Sequence, residues 1–272
     1  MSGTSSSPPG LELVTESPAD ADRAPAPPVL FVHGAYVGAW CWAEHFLPAL
    51  ADRGYAAHAV SLRGHGDSGG SLVSAGLDDF VADVRTAVER LDRPPVLVGH
   101  SMGGVVVQRY LQRYDAPAAA LLATIPPQGT AGLTIEFALR DPTTWFQFGV
   151  LQTVGPSLTS PRVMRRALFS ADLPDARVDA YARRVQQESP RALAELTGPA
   201  VTGRVPSDLP TLVLGADADA IVPSWAVEAT ARTFDTDATF VSDIAHAMML
   251  DTGWERVAST LVEWLDGIDP AS

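Results

Sequence analysis

The chain has 272 residues, 46% of them hydrophobic, which suits one sizeable buried core and excludes wholesale disorder. A formal net charge of -13 argues against nucleic acid or an anionic membrane as partner. Cys41 is the single cysteine, so no intrachain disulfide can form, and a reducing, cytoplasmic compartment is expected.

Residues 1–10 carry neither the basic start nor the apolar core of a secretory signal and are expected to form a disordered tail. No apolar run reaches the roughly 20 residues that cross a bilayer. Residues 11–14 are expected as an antiparallel edge strand, and 29–32 as the first strand of the main sheet. A helix follows over 42–53, then a strand over 57–61. In the next helix, 77–91, Leu77, Phe80, Val81, Val84, Val88 and Leu91 fall near a 3.6 period. Strands at 96–98, 119–122, 211–214 and 239–241 complete the set, with a helix expected behind Gly104. The closing helix has a capping-box spacing, Thr252 followed by Glu255, and lines Trp254, Val257, Leu261, Trp264 and Leu265 along one face. Strands alternating with helices mark βαβ units. The fold class is α/β: a doubly wound, mostly parallel sheet with helices on both faces.

One interval breaks the alternation. About 80 residues separate the strand ending near Thr124 from the one starting near Thr211, too many for a structureless loop. Ser160-Pro161, Leu173-Pro174-Asp175 and Ser189-Pro190 are helix starts, because proline tolerates the first helical position and serine caps it. A helical lid is therefore expected over 128–205, inserted between core segments 11–127 and 206–272. Trp145 and Phe146 are its expected substrate contacts, near the opening.

The segment with the most chemistry is Gly99-His100-Ser101-Met102-Gly103, a G-x-S-x-G pattern between a strand and a helix. A serine pinned in so tight a turn exposes its hydroxyl at the strand's C-terminal end. Such a hydroxyl needs a base within reach and a third group to orient that base. His246 follows the last strand and would share that edge. The acid belongs after the preceding strand, where Asp217 and Asp219 both stand. Serine, aspartate, histidine is the chain order of α/β-hydrolases.

On these residues the chain resembles the α/β-hydrolase superfamily from about residue 11 to the end, the lid matching least. Val32-His33-Gly34-Ala35-Tyr36 resembles the family's oxyanion loop, and Leu62-Arg63-Gly64-His65-Gly66-Asp67-Ser68 its next loop. Gly38-Ala39-Trp40-Cys41-Trp42 is similar to the branch of plant methylesterases and hydroxynitrile lyases. The resemblance implies an oxyanion hole from the N–H groups of Ala35 and Met102. Tyr36 is the alternative first donor and an expected substrate contact. The family pattern Gly-x-x-Asp-x-x-Val-Pro, counted back from Val222-Pro223, selects Asp219, with Ala216 in the glycine's place and Asp217 as the alternative.

Hydrolysis of an ester, thioester or lactone through an acyl-enzyme is the implied activity, on a small, largely apolar acyl compound. No cofactor is expected, nor a metal, since no histidines or cysteines are paired at ligand spacing. His33, His65 and His100 are expected to shape and pack loops. Two other readings stand beside this one. Hormone receptors on this fold bind ligands without turning them over. The related lyases imply a lysine beside the triad, and this chain contains no lysine.

Overall fold

A computed structural model describes residues 10–19, 26–154 and 161–268. Residues 1–9 of the expected tail at 1–10, and the capping Ser160, lie outside them; Gly10 is described, and its carbonyl accepts the Gly69 N–H at 3.0 Å. The strands are β1 (Leu13–Glu16), β2 (Val29–Val32), β3 (Ala57–Val60), β4 (Val96–His100), β5 (Ala119–Leu122), β6 (Thr211–Ala216) and β7 (Ala238–Val241). They form one sheet in the order β1-β3-β2-β4-β5-β6-β7. β1 runs antiparallel to β3, and every other pair is parallel. From β2 the chain steps outward to β3, then returns to lay β4 on the other side of β2. That reversal is a topological switch point, where the C-terminal ends of the strands leave a crevice.

Successive strand residues point to opposite faces. Phe31, Ala59, Val98, Ala120 and Leu214 share one core with α1 (Trp40–Ala43), α2 (Phe46–Asp52) and the closing α11 (Trp254–Asp266). Leu30, Val32, Leu97, Leu121 and Val213 share the other with α3 (Leu77–Val88), α4 (Met102–Leu111) and α10 (Ser224–Thr233). Both faces are covered, which is why β2, β4, β5 and β6 read as unbroken apolar runs. The interval between β5 and β6 holds α5 (Ala131–Arg140), α6 (Pro142–Val154), α7 (Pro161–Leu168), α8 (Asp175–Ala182) and α9 (Pro190–Thr197). Ser189 caps α9 by accepting the Ala192 N–H. No helix among the described residues is long and apolar enough to cross a membrane.

Three local expectations are corrected. The single helix expected over 42–53 is two, broken at Glu44 and His45. Pro48 explains the break: a continuous helix would drive its ring into the Glu44 carbonyl, whereas in the first turn of α2 its missing N–H is not needed. The edge strand sits two residues later than expected because Glu12 is engaged elsewhere. Its carbonyl accepts the Ser61 N–H, and its carboxylate accepts the Ser61 hydroxyl and the Asp67 N–H. The Thr252 capping box does not form. Gly253 is the N-cap of α11, and Asp251 takes the Thr252 N–H.

Arg63 begins the loop after β3, and α3 holds it there. Its side chain and its backbone N–H both bond to Asp83, whose carboxylate is fully buried. Burial pushes the Asp83 carboxyl above its usual range, against the pull of Arg63. Removing one partner of such a pair leaves the other charge uncompensated. Asp83→Ala is therefore expected to cost about 3–5 kcal/mol in a denaturant titration. A loss under about 1 kcal/mol would show that the pair does not hold the loop.

Candidate active site

Ser101 lies between β4 and α4 with φ 52 and ψ -119, a backbone conformation that non-glycine residues seldom adopt. The surroundings enforce it. Its N–H donates to the Leu122 carbonyl at 3.1 Å. A Cβ on Gly103 would strike the carbonyl oxygens of Val32 and His33, and one on Gly99 would sit 2.6 Å from the Gly103 oxygen. The first turn of α4 is thus pressed directly onto β2 and β4, with the serine forced outward at the switch point.

Two other strand ends complete the constellation. His246 comes from the loop after β7, and its Nε2 lies 3.1 Å from Ser101 Oγ. Its Nδ1 lies 2.8 Å from Asp219 Oδ2. The other Asp219 oxygen accepts the N–H groups of Ile221 and Val222 at 2.7 and 2.9 Å. A carboxylate so occupied acts as an acceptor, so the histidine carries its proton on Nδ1 and offers Nε2 to the serine. Asp217 is exposed and lies outside this chain of bonds. All three members are buried.

The loop after β2 supplies the facing wall. Ala35, Tyr36 and Met102 line the same cavity as Ser101. Among the described residues, neither the Ala35 nor the Met102 N–H has a protein acceptor. The Tyr36 N–H does not point to the serine: it donates to Glu188 at 3.0 Å. That removes Tyr36 as the alternative donor, while its side chain keeps its place in the cavity wall. His33 fixes the peptide that carries the Ala35 N–H. Its Nδ1–H donates to the Gly34 carbonyl at 2.7 Å, and its Nε2 accepts the Leu62 N–H at 3.0 Å. Carbonyl and N–H of a trans peptide point in opposite directions, so holding one aims the other.

The neighbouring histidines are kept uncharged. Burial, reinforced by His65, lowers His33 to about 3. Burial, then the nearby His246, lowers His100 to about 3. His100 donates Nε2–H to the His246 carbonyl at 2.8 Å, steadying that loop from below. The same loop is held by Asp251, which accepts the Ala245 N–H at 2.8 Å, and by the Leu168 carbonyl, which accepts the Ala247 N–H at 2.9 Å. The sequence reading missed Asp251, whose burial and bonds to Ser170, 81 residues away, carry no local signal. Cys41 is fully buried, and burial pushes its thiol far above the usual range.

The cavity above Ser101 holds about 340 Å³. Leu133, Phe137, Trp145, Met164, Phe169 and Tyr181 wall it from the inserted segment, and Trp40 and Met249 from the core. No charged side chain lines it among the described residues. The expectation for Phe146 is corrected. It follows Trp145 on α6, about 100° further around the helix, and is 66% exposed instead of lining the cavity. No group of three His, Cys, Asp or Glu suited to a metal ion occurs among the described residues.

The two neutral histidines make stability depend on pH. Each has a folded pKa near 3 against about 6.5 unfolded, so between these values the unfolded chain binds the proton first. Their contribution is complete above pH 6.5 and is lost as pH falls toward 3. Between pH 7 and pH 5 each is expected to remove about 2 kcal/mol of unfolding free energy. His100→Asn should reduce that slope in denaturant titrations at several pH values. An unchanged slope would mean that His100 is protonated in the native state.

The comparisons agree with this architecture. Over 104 residues the chain is 38% identical to the non-heme chloroperoxidase CPO-A1 of Kitasatospora aureofaciens, covering 37% of this chain and 38% of that protein. It is 30% identical over 110 residues to a pyrethroid hydrolase of Sphingobium wenxiniae, covering 40% of this chain and 39% of that one. The chain thus spans about two-fifths of the length of these curated relatives. The structure of a thermophilic esterase from Thermogutta terrifontis superimposes with a TM-score of 0.69 at 21% identity, over 95% of this chain and 93% of that one. The model of the alpha/beta hydrolase family matches residues 29–260, and the chain belongs to that family.

Proposed function

We propose that the chain is a serine hydrolase that cleaves an ester, thioester or lactone of a small, largely apolar substrate through an acyl-enzyme. The observation that carries this reading is the unbroken line of bonds from Asp219 through His246 to Ser101, opening into an apolar cavity. His246 Nε2 takes the Ser101 proton as Oγ attacks the substrate carbonyl carbon. The tetrahedral oxyanion is held by the N–H groups of Ala35 and Met102, the second at the N-terminus of α4, where helix N–H groups lack partners. As the bond to the leaving group breaks, His246 returns the proton to it. Water then repeats the steps on the acyl-enzyme, releasing the acid and restoring Ser101. Asp219 keeps the proton on Nδ1 and steadies the imidazolium that forms.

The lining favours neutral acyl groups. A charged substituent would lose its hydration in a cavity that offers no counter-charge. The net charge of -13 adds long-range repulsion of polyanions such as coenzyme A esters.

Ser101→Ala is expected to lower turnover of a short-chain nitrophenyl ester by about a millionfold and to abolish labelling by a fluorophosphonate, with the fold intact. Asp219→Asn should cost about ten-thousandfold, since an amide favours the wrong histidine tautomer. Asp217→Asn should stay near the parent rate. A folded Ser101→Ala protein that keeps more than a few per cent of its activity overturns the reading. A parent protein that never labels would instead indicate a ligand-binding role.

A further inference from the structure

Tyr36 has φ 68, in the left-handed region that a bulky residue enters only when its surroundings require it. Both of its peptide groups are held by one short stretch of the inserted segment. Its N–H donates to Glu188 Oε2 at 3.0 Å, and its carbonyl accepts the Gln186 N–H at 2.9 Å. The Gln186 side chain reaches the next loop, bonding the Gly66 N–H and the Gly64 carbonyl. Glu188 is itself buried and fixed: Oε1 accepts the Ser189 N–H at 2.6 Å, and Oε2 also faces His65 Nε2 at 3.0 Å. A carboxylate placed under a backbone loop in this way costs desolvation, offset only by its complete set of donors.

We propose that Glu188 is a positioning residue: by holding the Ala35–Tyr36 peptide from within the inserted segment, it sets where the Ala35 N–H points over Ser101. This rests on the reading of Ala35 as an oxyanion donor. His33 holds the peptide before Ala35 by the Gly34 carbonyl, and Glu188 holds the peptide after it. With both neighbours fixed, the Ala35 N–H has little freedom left. No local signal marks Glu188 in the sequence, because Tyr36 and His65 lie 152 and 123 residues away.

Glu188→Gln tests it. An amide has one oxygen, so it cannot accept both the Tyr36 and the Ser189 N–H through separate oxygens, while volume is unchanged. The expected result is a kcat about 10–100-fold lower, less than the hundredfold or more that follows outright loss of an oxyanion donor. KM should stay within about threefold. Affinity for a boronic acid that mimics the tetrahedral adduct should fall with kcat, while that for a neutral, non-hydrolysable ether analogue of the ester should not. Glu188→Asp, which keeps the charge but draws it back, should fall in between. A folded Glu188→Gln protein with kcat within twofold of the parent, or a loss confined to KM, overturns the proposal. Should neither variant fold, amide exchange of the parent decides: the Tyr36 amide should exchange as slowly as those of β2, and exchange at a loop's rate overturns it. Ser101→Ala assayed alongside separates the cases. If it remains active, the reading of the site fails. If it is dead while Glu188→Gln is not slowed, only the role of Glu188 fails.

Discussion

The contact on which the site depends is the one between the first turn of α4 and the carbonyls of Val32 and His33. It exists because position 103 has no side chain. That approach brings the loop after β2 beside the turn after β4, at the point where strand order reverses. Ser101 is forced into its strained backbone by the same packing, and the Met102 N–H is left at the start of a helix with no acceptor. A larger residue at 103 would separate the two loops, and no movement of His246 could restore the arrangement. The local strain is repaid by the buried strands beneath it, which lock β2 and β4 in register.

Charge is partitioned with equal strictness. The surface carries the acidic excess, while the cavity wall carries none, and the ionic groups near the site are matched at short range. Arg63 meets Asp83, and Glu188 faces His65 and two N–H groups. His33 and His100 are kept neutral by burial, so each has one donor nitrogen and one acceptor nitrogen, and each uses its donor on a backbone carbonyl of a site loop. Protonating either would put a charge into a space with no anion to meet it. Their neutrality is therefore part of how the loops are shaped.

Much of this was legible in the sequence because it is local. Apolar runs gave the strands, and Gly-x-Ser-x-Gly marked the turn. The family pattern counted back from Val222-Pro223 selects Asp219, and in the structure it is Asp219 that bonds His246. What escaped the sequence depends on partners far along the chain or on a face not yet known. Pro48 could have foretold the break between α1 and α2, since its conflict with residue 44 is a matter of spacing alone. Phe146 could not be separated from Trp145 without the rotation of α6, whose polar residues Thr143, Thr144, Gln147 and Gln152 are scattered among apolar ones and give no amphipathic bias. Tyr36, the alternative to Ala35 as first donor, is set aside only by a distant partner, Glu188, which occupies its N–H. Asp251 carries no sequence signal; its burial and its bonds to Ser170 arise only from tertiary packing.

The inserted helices do two separable jobs. One part is bonded to the loops that bear the site: Leu168 and Ser170 to the His246 loop through Ala247 and Asp251, Gln186 and Glu188 to Tyr36. The other part, α5 and α6, contributes cavity wall while its side-chain bonds run elsewhere, Glu136 to Trp225 and Thr144 to Arg166. Leu133, Phe137 and Trp145 shape the cavity from these two helices, while the bonds to the His246 loop and to Tyr36 come from 168–170 and 186–188. A shift at those anchors moves the backbone on which His246 or Ala35 is carried. The shape of the cavity is thus set in large part by α5 and α6, and the positions of Ser101, His246 and Asp219 by the sheet and the anchored loops.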